Sequence, residues 1–197
     1  MQAIFLDKDG TLIKDVPHNV DPDLVELSDG AGDGLHLLQQ RGYRLFVISN
    51  QPGVAKGLFA EIALEPVEIR IAELLSQEQV VLDGFYYCPH HPDGVVEGYA
   101  IDCDCRKPMP GLLLRAAREH GIDLSRSWMV GDILNDIEAG SRAGCKTVLI
   151  DNGNETEWQL SAARMPDLIL PNLYAAALAI ARHDETGKSN GMEMAAS

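Results

Sequence analysis

The stretch Ile4-Phe5-Leu6-Asp7-Lys8-Asp9-Gly10-Thr11-Leu12 decides how the rest of the chain is read. A short apolar run with branched and aromatic side chains, closed by turn residues, predicts a buried strand. The run stops at two carboxylates separated by one residue, followed by Gly. In an open α/β sheet the carboxyl end of a strand is where ligand sites form. Side chains alternate along an extended backbone, so Asp7 and Asp9 can share one side while Lys8 points away. Two carboxylates this close repel, and they need a cation, a shared proton or abundant water. Asp and Gly also make ordinary solvated turns, which is the plain structural explanation. The chemical alternative is a carboxylate nucleophile (Asp7), a second carboxylate for proton transfer (Asp9) and Mg²⁺ between them and a phosphate. The rest of the chain decides between the two.

Outward from this strand the pattern alternates. Residues 17–29 are polar and turn-rich, and a helix is predicted over 31–41 with Gly42 as its stop. Arg44-Leu45-Phe46-Val47-Ile48 is a second buried strand, ending at Ser49-Asn50-Gln51-Pro52-Gly53. A long helix is expected from Phe59 to Gln77, broken or offset near Pro66. Phe85-Tyr86-Tyr87 is a short strand that leads into a Cys/His-rich loop from Cys88 to Cys105. Arg106-Lys107-Pro108 precedes a helix from Gly111 to about His120, and strands follow at 128–130, 146–150 and 167–170. Helices over 135–143 and 172–182 complete the series, and 183–197 reads as a loose tail. Strands alternating with helices predict an α/β fold, a Rossmann-like, doubly wound parallel sheet. One domain over 1–182 is expected, since no linker divides the chain.

Composition narrows the function classes. The 197 residues carry a formal net charge of −14, which repels nucleic acid and anionic membranes and argues against both as partners. No run approaches the roughly 18–20 apolar residues that would span a membrane. With no signal segment apparent, a cytoplasmic location and a monomeric chain are the expectations. Cys88, Cys103 and Cys105 cluster with His90 and His91. Three thiolates and one imidazole match a closed tetrahedral zinc site. Loose thiols or a redox pair are the alternatives. Cys145 reads as a small buried apolar residue.

Four segments place polar groups at strand ends or helix starts: Asp7 with Asp9, Ser49 with Asn50, Lys107, and Asp132 with Asp136. Taken singly, each has a structural explanation as a turn, a surface lysine or a helix cap. In a parallel sheet, however, they share one edge. In this order they resemble the haloacid dehalogenase (HAD) superfamily of phosphatases. Asp7-Lys8-Asp9-Gly10-Thr11 stands for its first motif, Ser49 for its second, Lys107 for its third, and Gly131-Asp132-Ile133-Leu134-Asn135-Asp136 for its fourth.

The resemblance implies that Asp7 attacks phosphorus to give an aspartyl-phosphate, while Asp9 protonates the leaving alkoxide and then activates water. It implies Mg²⁺ on Asp7, the backbone carbonyl of Asp9, and Asp132, with Asp136 supporting the loop. Ser49, Asn50 and Lys107 would hold phosphate oxygens. The Tyr-Tyr-Cys-Pro-His-His-Pro and Cys-Asp-Cys-Arg-Lys-Pro segments resemble the group containing heptose bisphosphate and histidinol phosphatases. That implies structural zinc on Cys88, His90, Cys103 and Cys105, with His90 rather than His91 as the ligand. Arg106 would touch the substrate's second phosphate or its hydroxyls. The expected substrate is a small phosphorylated sugar, first heptose 1,7-bisphosphate cleaved at C7, with histidinol phosphate or another metabolite as the alternative. A zinc-stabilised binding protein without turnover is the non-enzymatic rival, but it would have no need of Asp9. No segment is long enough for a large cap domain. The loop from Lys14 to Pro22 is expected to touch the sugar, although it departs from the heptose group's sequence.

Overall fold

Six strands form one wholly parallel sheet in the computed structural model, which describes residues 1–194, leaving aside the side chains of 184 and 186–194. The strands are β1 (Ala3–Leu6), β2 (Arg44–Asn50), β3 (Gly84–Cys88), β4 (Trp128–Gly131), β5 (Lys146–Ile150) and β6 (Leu168–Leu170). Their order is β3-β2-β1-β4-β5-β6. The chain therefore runs outward from β1 in one direction, then returns to pair β4 on the other side of β1. That reversal opens a crevice at the carboxyl ends of β1 and β4, the place where open α/β sheets bind ligands.

Alternation along the strands sorts the core into two faces. Ile4, Leu6, Leu45, Val47, Trp128 and Val130 point one way, packing with α1 (Ala31–Gln40), α2 (Leu64–Gln77) and α5 (Leu173–Met194). Phe5, Phe46, Ile48 and Met129 point the other way, against α3 (Gly111–His120) and α4 (Leu134–Ala143). Both faces are apolar because both are covered, as a parallel sheet requires.

Most expected boundaries lie within a residue or two of the observed ones, and three expectations are corrected. Pro66 does not break the second helix. The helix starts at Leu64 rather than Phe59, after the 3-10 turn at Glu61–Ala63, so Pro66 sits in the first turn of α2, where its missing N–H has no intrahelical partner to lose. Lys8 does not point away from the aspartates: buried, at 2% exposure, it folds back so that its Nζ lies 2.5 Å from Asp9 Oδ1. The last helix does not stop at Arg182 but continues to Met194, with Glu185 paired to Arg41 at 2.9 Å. Of the expected loose tail, residues 195–197 lie outside the described residues.

Among the described residues, no large cap covers the sheet edge. The β1–α1 connection holds a 3-10 turn at Pro22–Leu24, and the β2–β3 connection holds another at Glu61–Ala63 and then α2. The β3–α3 connection is the Cys/His loop. Among the described residues, no helix is long and apolar enough to cross a membrane.

Candidate active site

Backbone pairing aligns the site before any side chain is considered. Asp7 follows the last residue of β1, and its N–H donates to Val130 O of β4 at 2.9 Å. Asp132 follows the end of β4, so the two carboxylates emerge side by side at the crevice. Gly10 then turns the chain away with a left-handed φ of 81°. A Cβ there would collide with the Asp132 carboxylate and the Asn154 amide, so both the turn and the close approach require glycine. Gly131 is needed for a similar reason, because a side chain on it would overlap Asp136.

Lys107 is brought in across the sheet. The Asn50 side chain accepts from its backbone N–H through Oδ1 and donates to its carbonyl through Nδ2, both at 3.0 Å. This double clamp aims the Lys107 ammonium into the cluster. Its Nζ lies 2.5 Å from Asp7 Oδ1, 2.6 Å from Asp136 Oδ1 and 2.8 Å from Ile48 O. Asp136 also accepts from the Ile133 N–H at 3.3 Å, which braces the start of α4.

The electrostatics follow from burial. Asp7 is held well above the usual carboxylate range: burial comes first, Lys107 opposes it, and Asp136, Asp132 and Asp9 add to it. Asp132 is pushed up to about 6 by burial and then by Asp136, against the hydrogen bond from Asn154. Burial works against the charge on Lys107, but Asp136 and Asp7 outweigh it and raise its pKa. Oxygens of Asp7, Asp132 and Asp136 lie within 4.8 Å of one another. One ammonium among three carboxylates leaves the cluster short of positive charge, and a hard divalent cation such as Mg²⁺ fits that oxygen donor set.

The structure thus brings Asp7, Asp9, Asn50, Lys107 and Asp132 to one cavity of about 280 Å³, with Asp15 and Asn154 in its wall. Ser49 is buried just behind Asp9, and the Gln51 side chain joins the two. Asn50 spends both ends of its amide on the Lys107 backbone. Arg106 is not among the residues lining this cavity; its guanidinium donates to His90 O at 3.5 Å. An adjoining cavity of about 210 Å³ shares Asp9, Asp15 and Asn50 and adds His18 and Asn19 from the β1–α1 loop.

Three polar residues in the site went unsingled in the sequence. Asn154 donates to Asp132 Oδ2 at 2.6 Å, Asn152 to Gly10 O at 2.7 Å, and Gln51 to Asp9 Oδ2 at 3.1 Å. The available signal was the polar Asp151-Asn152-Gly153-Asn154 segment at the carboxyl end of β5, the edge that carries the motifs.

Cys88, His90, Cys103 and Cys105 converge as expected. Cys88 Sγ lies 3.5 Å from Cys103 Sγ and 3.1 Å from Cys105 Sγ, and Cys103 and Cys105 are 3.1 Å apart. His90 Nδ1 completes the group at 3.4 Å from Cys105 Sγ and 3.7 Å from Cys88 Sγ. All the cysteines are free. Zinc–sulfur bonds in a tetrahedron would separate the sulfurs by about 3.8 Å, so the set closes around such an ion with little movement. Burial pushes the Cys88 thiol up to about 11, and a bound cation would reverse that preference. The loop is also tied to the Glu61 turn, whose carboxylate accepts from Tyr87 at 3.1 Å and Tyr99 at 2.5 Å. His91 does not join the cluster; its Nδ1 accepts from Asp93 N–H at 3.1 Å.

Comparison with known proteins agrees with this geometry. A HAD-hydrolase-like family model matches residues 104–176. The chain is 41% identical to the D-glycero-beta-D-manno-heptose-1,7-bisphosphate 7-phosphatase of Salmonella typhi, covering 85% of this chain and 94% of that protein. Identity to the protein of the same name from Escherichia coli K12 is 42%, over 85% of this chain and 93% of that one. Among solved structures, the D,D-heptose 1,7-bisphosphate phosphatase of B. bronchiseptica, complexed with magnesium and phosphate, superposes with a TM-score of 0.79. It is 32% identical, with 93% of this chain and 99% of that chain covered. The chain belongs to the HAD superfamily of phosphatases and is a hydrolase of phosphoric monoesters.

Proposed function

We propose that this protein removes the C7 phosphate of D-glycero-D-manno-heptose 1,7-bisphosphate, with Mg²⁺ in the carboxylate cluster and structural zinc in the Cys/His loop. The carrying observation is the convergence of Asp7, Asp9, Lys107 and Asp132 on one cavity, beside a second cavity with room for a leaving group. The relatives' names supply the substrate, and the metal complex of the B. bronchiseptica protein supports the cation.

In this reading an Asp7 oxygen attacks phosphorus. The bond from phosphorus to the sugar oxygen breaks, and Asp9 delivers its proton to that oxygen. A water then attacks the aspartyl-phosphate and gives its proton to Asp9. The bond between phosphorus and the Asp7 oxygen breaks, and inorganic phosphate leaves. Lys107 and the Ser49 hydroxyl stabilise the charge on the transferring oxygens. Mg²⁺, held by Asp7, Asp132 and the Asp9 carbonyl, would neutralise the dianion as it approaches a carboxylate nucleophile. Asn50 serves by holding Lys107 in place. Arg106, between the zinc loop and Lys107, would meet the substrate's second phosphate, and the loop carrying Asp15 and His18 would meet the sugar. Free thiols suit the reducing cytoplasm, where the chain works as a single domain.

The deciding assay is phosphate release with Mg²⁺ from both heptose 1,7-bisphosphate anomers, histidinol phosphate and hexose phosphates. A strong preference for a heptose anomer is expected, and equal weak activity on all would overturn the substrate. Asp7→Asn should abolish turnover; retained activity would remove the nucleophile.

A further inference from the structure

We infer that Gln51 is a positioning residue that sets the Ser49 hydroxyl and the Asp9 carboxylate for the reaction, an inference that rests on the phosphatase reading above. Gln51 follows β2 directly and is only 6% exposed. Its Nε2 donates to Asp9 Oδ2 at 3.1 Å and to Ser49 Oγ at 2.9 Å. A primary amide has two N–H groups, so each partner takes one. The Gln51 backbone N–H donates to Cys88 O at 2.8 Å, which fastens the residue to the end of β3. Main chain and side chain are thus both held.

Two chemical consequences follow. Ser49 Oγ accepts from Gln51, so its one O–H is turned elsewhere and is available to donate to a phosphate oxygen. Asp9 is held at both oxygens, Oδ2 by Gln51 and Oδ1 by Lys8 at 2.5 Å, and each oxygen keeps a second lone-pair position where the transferred proton can sit. A carboxylate with one free rotor must otherwise be ordered as the reaction proceeds; here that ordering precedes substrate binding. Lys8 is the neighbour of both aspartates and also fills space, whereas the Gln51 side-chain amide joins one motif to another through Asp9 and Ser49. It is therefore the residue whose removal should disturb proton transfer while leaving the nucleophile and its cation in place.

That distinction has a readout. An alkyl phosphate such as glucose 6-phosphate leaves as a strongly basic alkoxide that needs a proton, whereas p-nitrophenyl phosphate leaves as a stable phenolate. The value of kcat/KM reports steps through the first phosphoryl transfer. Near-isosteric Gln51→Met keeps the packing and deletes both hydrogen bonds, and Asp9→Asn provides the reference. We expect Gln51→Met to lower kcat/KM by roughly 10²-fold on glucose 6-phosphate and by less than about 10-fold on p-nitrophenyl phosphate. Asp9→Asn should show the same split more strongly. If Gln51→Met fails to fold, Gln51→Asn, whose amide is too short to span both partners, should show the split. The smaller loss shared by both substrates reads the Ser49 contact, and the excess on glucose 6-phosphate reads the Asp9 contact. With the split intact in Asp9→Asn, equal losses would overturn the role of Gln51 toward Asp9, and no loss on either substrate would overturn both roles. Absence of the split in Asp9→Asn itself would overturn the acid assignment to Asp9, and the inference with it.

Discussion

At the scale of single residues, Asp132 carries the clearest conflict. Its carboxyl titrates near 6 in the fold against about 3.9 in an unfolded chain. The folded state therefore binds its proton more tightly, and the metal-free protein loses stability from this group as pH rises from about 4 to about 6. Metal-free Asp132→Asn should be more stable than the parent at pH 7, on the order of 2 kcal/mol, with the gain gone by pH 4. Thermal melts of both proteins in chelator at the two pH values check this. Asn154 opposes the same conflict through its 2.6 Å bond to Asp132 Oδ2. Asn154→Ala should weaken Mg²⁺ binding several-fold, by about 1 kcal/mol, as measured by calorimetry without substrate. Unchanged affinity would leave Asn154 as loop filling.

Among the elements, the β3–α3 loop depends most on what it binds. It has little apolar content of its own, and it is tied to the rest by the Ala55 carbonyl, which accepts from Val95 and Val96 N–H at 2.8 and 3.0 Å, by the Glu61 contacts and by the Asn50 clamp on Lys107. Gly111 opens α3 so close to the Asp104 carbonyl that a Cβ there would clash. Zinc would close this loop directly onto the helix that follows Lys107. Stripping the zinc should therefore lower both stability and activity. A cost of a few kcal/mol corresponds to a fall in Tm on the order of 10 °C for a domain of this size. A chelator series with metal analysis by mass spectrometry measures it. An unchanged Tm after complete zinc loss would assign the loop's order to its hydrogen bonds with Glu61, Ala55 and Asn50.

For the whole molecule, the two-faced core predicts how mutations combine. Leu35 packs in the cluster with α1, α2 and α5, and Leu113 in the cluster with α3 and α4; both are 0% exposed. Each truncation to Ala should cost about 2–5 kcal/mol. Because the sheet lies between them with no shared partners, the double mutant should show the sum within about 0.5 kcal/mol. Urea melts of the two single mutants and the double mutant test this, and a shortfall beyond that margin would mean that strain passes through the sheet.

Local pattern was sufficient for much of this. Apolar runs that end in Asp7, Ser49 and Asp132 read as strands with polar ends, because a parallel sheet covered on both faces needs continuous apolar strands. The thiol and imidazole set was equally legible, since metal ligation restricts residue type more than it restricts spacing. Pro66 misled because its effect depends on its place in the helix, inside the first turn rather than in the middle. That the motif residues share one edge was expected; what tertiary structure alone decided is which atoms bond to which. Lys107 reaches Asp7 from 100 residues away, and Asn154 reaches Asp132 from 22. Lys8, which alternation along the strand placed on the side opposite the aspartates, turns to Asp9 once the strand has ended. Gln51 joins two motifs only because the fold sets its amide between Asp9 and Ser49. Strand periodicity is a property of neighbours in the chain and can be read from it. A buried hydrogen bond is a property of neighbours in space, and it exists only once the sheet order has brought the strand ends to one edge.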